Sequence, residues 1–178
     1  ALPVYRPPLD MNQLFGEPRP GTREDGGHEV TVRYLTPHNK WSIHSEYQDN
    51  LLMLSLSRGG PTIWMSNEDA ELIGVTDNDW IEAVNRNGVV AARAIVSHRM
   101  PRGTAFMHHA QERTVNVPLT ERDGMRGGIH NSLTRIMIKP SHLIGGYAQL
   151  SFAFNYYGPT GNQRDEVTVI RKRTAPVE

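Results

Sequence analysis

Apolar and polar residues alternate from Glu29 to Leu35, where Val30, Val32 and Tyr34 are separated by Thr31 and Arg33. A period of two puts the two sets on opposite faces of an extended chain, so this stretch predicts a half-buried strand. Thr62–Met65 reads as a brief buried strand, and Asp79–Val84 and Val89–Ser97 as the arms of a hairpin turning at Asn85-Arg86-Asn87-Gly88, whose Asn-Gly is a strong turn signal. Further strands are predicted over Thr104–Met107, after a Pro101-Arg102-Gly103 turn, and over Thr134–Ile138, Leu150–Tyr156 and Glu166–Arg171. Helical signals are fewer. Asp49 is placed to cap a short helix carrying Leu51, Leu52, Leu54 and Leu56 before Gly59-Gly60, and Ser66 to cap a second one. In that second helix Glu68 and Asp69 sit in the first turn, where the dipole favours negative charge, and Gly74 supplies a left-handed end. Trp64 and Trp80 are assigned to the core, and Arg171-Lys172-Arg173 to solvated surface. Short strands with two small helices predict a mainly β barrel or sandwich.

Composition narrows the function classes. The 178 residues are enough for one domain with its own core, and 16 glycines and 12 prolines favour short elements. The formal charge is zero, which gives no nucleic-acid footprint. Without cysteine the chain has no disulfide, thiolate metal site or cysteine nucleophile. No apolar run reaches the ~18–20 residues of a bilayer span, and no direct membrane insertion is expected. Residues 1–27, with Pro3, Pro7, Pro8, Pro18 and Pro20, read as an extended lead-in, with at most one helical turn over Met11–Phe15, and residues 28–178 as the folded domain. That start, without an initiator Met or a signal peptide, is read as a domain cut from a longer protein.

Three polar clusters carry the candidate chemistry. The stretch Thr36-Pro37-His38-Asn39-Lys40-Trp41-Ser42-Ile43-His44-Ser45 directly follows the first strand; His108-His109 and His130-Asn131-Ser132 come later. His38 and His44 stand six apart in a loop, which matches no standard zinc spacing. Ser42, Ser45 and Ser132 lie near histidines, but none sits in a G-x-S-x-G elbow. Taken singly, His108, His109 and His130 are ordinary hydrogen-bonded histidines at strand ends. Taken together, the clusters offer neutral donors and acceptors, few carboxylates, and Lys40, Arg113, Arg126 and Arg135 for charge. Gly127-Gly128, just before Ile129, would let backbone amides approach an anion. This mix suits a large heterocycle bearing phosphates.

The motifs Tyr34-Leu35-Thr36-Pro37-His38-Asn39-Lys40-Trp41-Ser42-Ile43-His44-Ser45, Ala110-Gln111-Glu112, Gly127-Gly128-Ile129-His130-Asn131-Ser132, Gly145-Gly146-Tyr147 and Phe154-Asn155-Tyr156-Tyr157-Gly158 closely resemble the carboxy-terminal domain of respiratory nitrate reductase alpha subunits, in the dimethyl-sulfoxide-reductase family of molybdenum enzymes. The resemblance runs from about Val30 to Lys172, and Ser66–Gly103 is similar to the wider molybdopterin-dinucleotide-binding domain. It implies a double-psi β-barrel, aspartate-decarboxylase-like in fold, covering a bis-molybdopterin guanine dinucleotide cofactor. It also implies a place in an oxidoreductase of anaerobic respiration and nitrate assimilation that reduces nitrate to nitrite with quinol-derived electrons. The implied partners are the upstream domains of the alpha subunit, an iron–sulfur beta subunit and a haem b membrane gamma subunit, at the cytoplasmic face of the cell membrane. By position, Thr36, His38, Lys40, Trp41, Ser42, His44 and Ser45 become cofactor contacts, as do His109 and Gln111 at a strand end. His130, Asn131 and Thr134 fall on a pterin-contacting turn, and Asn155 and Tyr156 on a late segment approaching the cofactor. The family's molybdenum-ligating aspartate and 4Fe-4S cluster lie in segments outside this sequence, so the chain alone is expected to be inactive and to hold no catalytic or metal-ligating residue. Two other readings remain at this stage: a double-psi barrel serving as a protein-interaction module, and a small hydrolase using Ser132 with a histidine.

Overall fold

The structure, a computed structural model, describes residues 27–44, 46–47, 50–58, 60–85, 87–109, 128–134 and 166–174. The expected lead-in before Gly27, the late strands over residues 135–138 and Leu150–Tyr156, and the site residues Ser45, Gln111, Asn155 and Tyr156 lie outside them.

The alternating stretches form strands β1 (Glu29–Leu35), β2 (Thr62–Met65), β3 (Trp80–Val84), β4 (Val89–Val96), β5 (Thr104–Phe106) and β6 (Glu166–Lys172). They close into one barrel in the order β1-β5-β2-β4-β3-β6. Only β1/β5 and β2/β4 run parallel; the other four pairs are antiparallel. Exchanging β1 with β4, β2 with β5 and β3 with β6 reproduces every pairing with its direction, so the two halves of the chain are interlocked about a pseudo-twofold axis. This is the double-psi β-barrel expected from the sequence. Closure leaves no free edge among these strands.

The interior is narrow, and the residues reflect it. Val32, Tyr34, Ile63, Met65, Ile81, Val90, Met107, Leu133 and Ile170 supply the bulk, and Ala83, Ala92, Ala94 and Ala105 fill the space between them with small side chains. Trp64 and Trp80 are half-buried and not among these core residues, which corrects the sequence assignment. Trp64 stacks on Phe106, its cross-strand neighbour, with centroids 5.6 Å apart, so its ring lies along the barrel wall.

Two helices sit between strands. Helix α1 (Leu51–Leu56) is capped by Asn50, whose Oδ1 accepts from Leu52 and Met53 N–H; the cap is therefore Asn50 and not the expected Asp49. None of its residues is buried. Helix α2 (Asn67–Leu72) begins at Ser66, whose hydroxyl accepts from Asp69 N–H at 3.0 Å, and ends before Gly74 at φ +65°, both as the sequence predicts. Buried Asp69 adds a tie the sequence did not reveal: its carboxylate accepts from Gly103 N–H at 2.7 Å, which fixes α2 to the turn before β5.

The carboxy-terminal basic run is not plain surface. Arg171 bridges Glu29 on β1 and Glu82 on β3, Lys172 pairs with Asp79, and Arg173 is buried against Glu82. β6 lies between β1 and β3, so its cations meet carboxylates on both neighbours.

Candidate functional site

β1 ends at Leu35, and the chain after it still pairs with the strand beside it. Met107 N–H donates to Leu35 O at 3.1 Å, and His109 N–H to Pro37 O at 3.0 Å, so the parallel β1/β5 ladder runs on into the loop. That continuation places His109 opposite His38, and His109 Nε2 lies 2.8 Å from His38 Nδ1. His44 turns back through a left-handed backbone, φ 50°, and brings its ring to 5.8 Å from His38 and 5.2 Å from His109, centroid to centroid. His130 arrives from the 3-10 turn His130–Leu133, its ring 5.9 Å from that of His109. Three segments distant in sequence thus join in one cluster of four imidazoles.

An N–H···N bond needs one lone pair, so the His38–His109 pair carries at most one positive charge between its facing nitrogens. The cluster is a set of ring nitrogens able to donate and to accept. No group of three or more His, Cys, Asp or Glu among the described residues has the geometry to hold a metal ion. His108, pointing to the other side of its segment, is half-buried beside the Phe106 ring, 5.1 Å away. Burial holds its imidazole below the usual histidine range, partly offset by the carbonyls of His38 and Pro37.

The remaining sequence-predicted residues divide. Thr36 is buried just before the cluster, and Thr134 closes the 3-10 turn by donating its hydroxyl to Asn131 O at 2.9 Å. Lys40 is exposed and lies over the Trp41 ring, 4.7 Å from its centroid, a contact within the loop itself. Trp41 is half-buried, its N–H accepted by Asn39 Oδ1 at 3.0 Å. Buried polar atoms without a protein partner include Thr36 Oγ1, Ser42 Oγ and Asn131 Oδ1. Each belongs to one of the segments that build the histidine cluster. Orphaned groups of this kind cost on the order of 1–3 kcal/mol apiece unless water or a ligand supplies the missing bond.

Sequence reading missed the supports. Tyr34, wholly buried on β1, directs its hydroxyl to His130 O at 3.4 Å, and burial pushes its phenol well above the ordinary tyrosine range. Asn85, seen in the sequence only as part of a turn, donates its buried amide to Leu133 O at 2.8 Å. The signal for Asn85 was present in the Asn-x-Asn-Gly spacing, because an Asn at such a turn bonds its own backbone two residues on.

Residues 32–150, well over half of the chain, match the molybdopterin dinucleotide binding domain. The chain belongs to that family. Among curated relatives of this domain, the nitrate reductase alpha subunit of Mycobacterium tuberculosis is 68% identical over 99% of the chain and 14% of its own length. The nitrate reductase alpha chain of Bacillus subtilis is 61% identical over 93% of the chain and 13% of its length. The respiratory nitrate reductase 1 alpha chain of Escherichia coli is 55% identical over 97% of the chain and 14% of its length. The chain therefore spans about one seventh of the length of these relatives. A molybdopterin dinucleotide is rich in ring nitrogens, amino groups and phosphate oxygens. Imidazole nitrogens and unpartnered hydroxyl and amide oxygens are suited to it, so the residues present fit the group.

Proposed function

We propose that this molybdopterin dinucleotide binding domain is the cofactor-gripping part of a molybdenum nitrate reductase alpha subunit. The carrying observation is the convergence of His38, His44, His109 and His130 beside the unpartnered Thr36 Oγ1, Ser42 Oγ and Asn131 Oδ1. The high identity to nitrate reductase alpha subunits supports the substrate assignment.

When bound, the bis-molybdopterin guanine dinucleotide supplies the molybdenum centre at which nitrate is reduced to nitrite. This chain's residues do other work. His38 and His109, locked to each other, would hold their rings in one orientation beside the bound pterin. Thr36, Ser42 and Asn131 accept from or donate to its polar edges, and Lys40 offsets phosphate charge. With 14 residues proposed as contacts, Ser45, Gln111, Thr134, Trp41, Asn155 and Tyr156 complete the set. The isolated chain is inactive in this reading, because it lacks the molybdenum ligand and the 4Fe-4S cluster. Quinol-derived electrons would come through an iron–sulfur beta subunit and a haem b gamma subunit at the cytoplasmic face of the membrane. The exposed Ile43 in the site loop and Tyr47, Leu51, Leu52 and Leu56 after it support contact with the rest of a larger subunit.

The test is substitution in the full-length subunit. His109→Ala and Asn131→Ala should each lower molybdenum and guanine nucleotide content at least tenfold, and nitrate reduction with it. Full content and activity in both variants would sink the assignment.

A further inference from the structure

The turn that carries His130 and Asn131 is held from the hairpin between β3 and β4. Asn85 Nδ2 donates to Leu133 O at 2.8 Å and to Thr168 Oγ1 at 3.1 Å, while its Oδ1 accepts from Asn87 N–H at 2.8 Å and Gly88 N–H at 3.3 Å. Both amide hydrogens and both lone-pair directions of this buried side chain are used. Asn87 Nδ2 reaches the same Leu133 carbonyl at 3.3 Å. Gly88 is not among the residues of positive φ, so its backbone does not require glycine. Space does: a Cβ there would lie 2.5 Å from Ser132 O. From the other side, a Cβ on Gly128 would lie 2.6 Å from Val89 O. The hairpin and the turn are thus in backbone-to-backbone contact at two glycines and bonded through two asparagines.

We infer that Asn85, Asn87 and Gly88 are positioning residues for the cofactor turn, setting where His130 and Asn131 stand against His109. The inference rests on the cofactor site proposed above. A side chain at Gly88 must push the Ser132 carbonyl away by about 1 Å, and a binding constellation tolerates a displacement of only about 0.5 Å. The displaced residue follows Asn131 directly, so the orphaned Oδ1 moves with it. A hairpin serving only general stability would not single out this turn.

Two glycine variants of the full-length subunit with its partners separate these roles. Gly88→Ala strikes the turn, whereas Gly74→Ala strains a φ of +65° at a place where the added Cβ meets nothing within 4 Å. Guanine nucleotide released by acid and molybdenum, each per polypeptide, are the readouts, beside melting temperature. Gly88→Ala should lower both contents at least tenfold below Gly74→Ala. Contents within twofold of each other would overturn the inference. Should Gly88→Ala fail to fold, Asn87→Ala removes only the longer bond to Leu133 O; a two- to fivefold lower content at unchanged melting temperature supports the inference, and unchanged content overturns it. Asn131→Ala distinguishes the two levels. If it and His109→Ala both leave content intact, the cofactor site itself is wrong. If it lowers content while the hairpin variants do not, only the positioning role fails.

Discussion

His108 and His109 are adjacent yet meet opposite surroundings, and that difference sets what each can do. His109 faces three other imidazoles, whereas His108 is half-buried beside Phe106. Because burial depresses the folded-state pKa of His108, the unfolded chain takes up its proton first as pH falls below about 6.5. The stability from the neutral ring is complete above that pH and is lost as pH drops through the lower folded value. His108→Gln should therefore lessen the fall in melting temperature between pH 7.5 and pH 5, measured by circular dichroism. An identical fall in variant and parent would mean that burial of His108 carries no such linkage. Residue type made the three histidine segments legible in the sequence, since so many hydrogen-bonding groups are poor core material. Their union was not legible, because His38 and His109 are 71 positions apart and meet only through the parallel β1/β5 ladder. Asn85 was hidden for a related reason: its local turn bonds are visible in sequence, and its bonds to Leu133 and Thr168 are not.

Elements repeat the contrast between local and distant causes. α2 was readable from Ser66 to Gly74 because a cap and a left-handed end are decided within one turn of chain. Ser66→Ala removes the bond to Asp69 N–H in a buried setting and should cost about 1–2 kcal/mol, seen as a lower denaturant midpoint at unchanged slope. α1 was equally readable as a helix, and none of its residues is buried. Leu51 and Leu52 are each 78% exposed. Replacing both with Ser should change the stability of this chain by no more than about 0.5 kcal/mol each, well below the ~2–5 kcal/mol of a core leucine. A larger loss in thermal melts would show that these side chains are packed in solution. Trp64 and Trp80 are also less buried than their type suggests: tryptophans so often serve cores that their place on the barrel wall is visible only once the neighbours are known.

At the scale of the whole molecule, strand periodicity identified a β fold but could not order it, because the pairing is a permutation set by closure. β6, the last strand, fills the gap between β1 and β3, matching six residues of one and four of the other. Its side chains serve the same joint. Ile170 is fully buried in the core, and Arg171 spans from Glu29 to Glu82 across both seams. The carboxylates are only 12% exposed, so removing Arg171 would take a shared cation from two partly desolvated charges, leaving Arg173 on Glu82. Ending the chain after Asp165 would remove every one of these ties and expose two strand edges at once, β1 and β3. An open barrel of five strands has lost a wall of its core and gained two templates for intermolecular pairing. The truncated chain is accordingly expected to show no cooperative thermal transition and to aggregate, whereas Ile170→Ala should still unfold cooperatively with a loss of about 2–5 kcal/mol. A cooperative, monomeric chain ending at Asp165 would mean that the first five strands hold together without closure, and the interlocking of the two halves would then not be what stabilises the barrel.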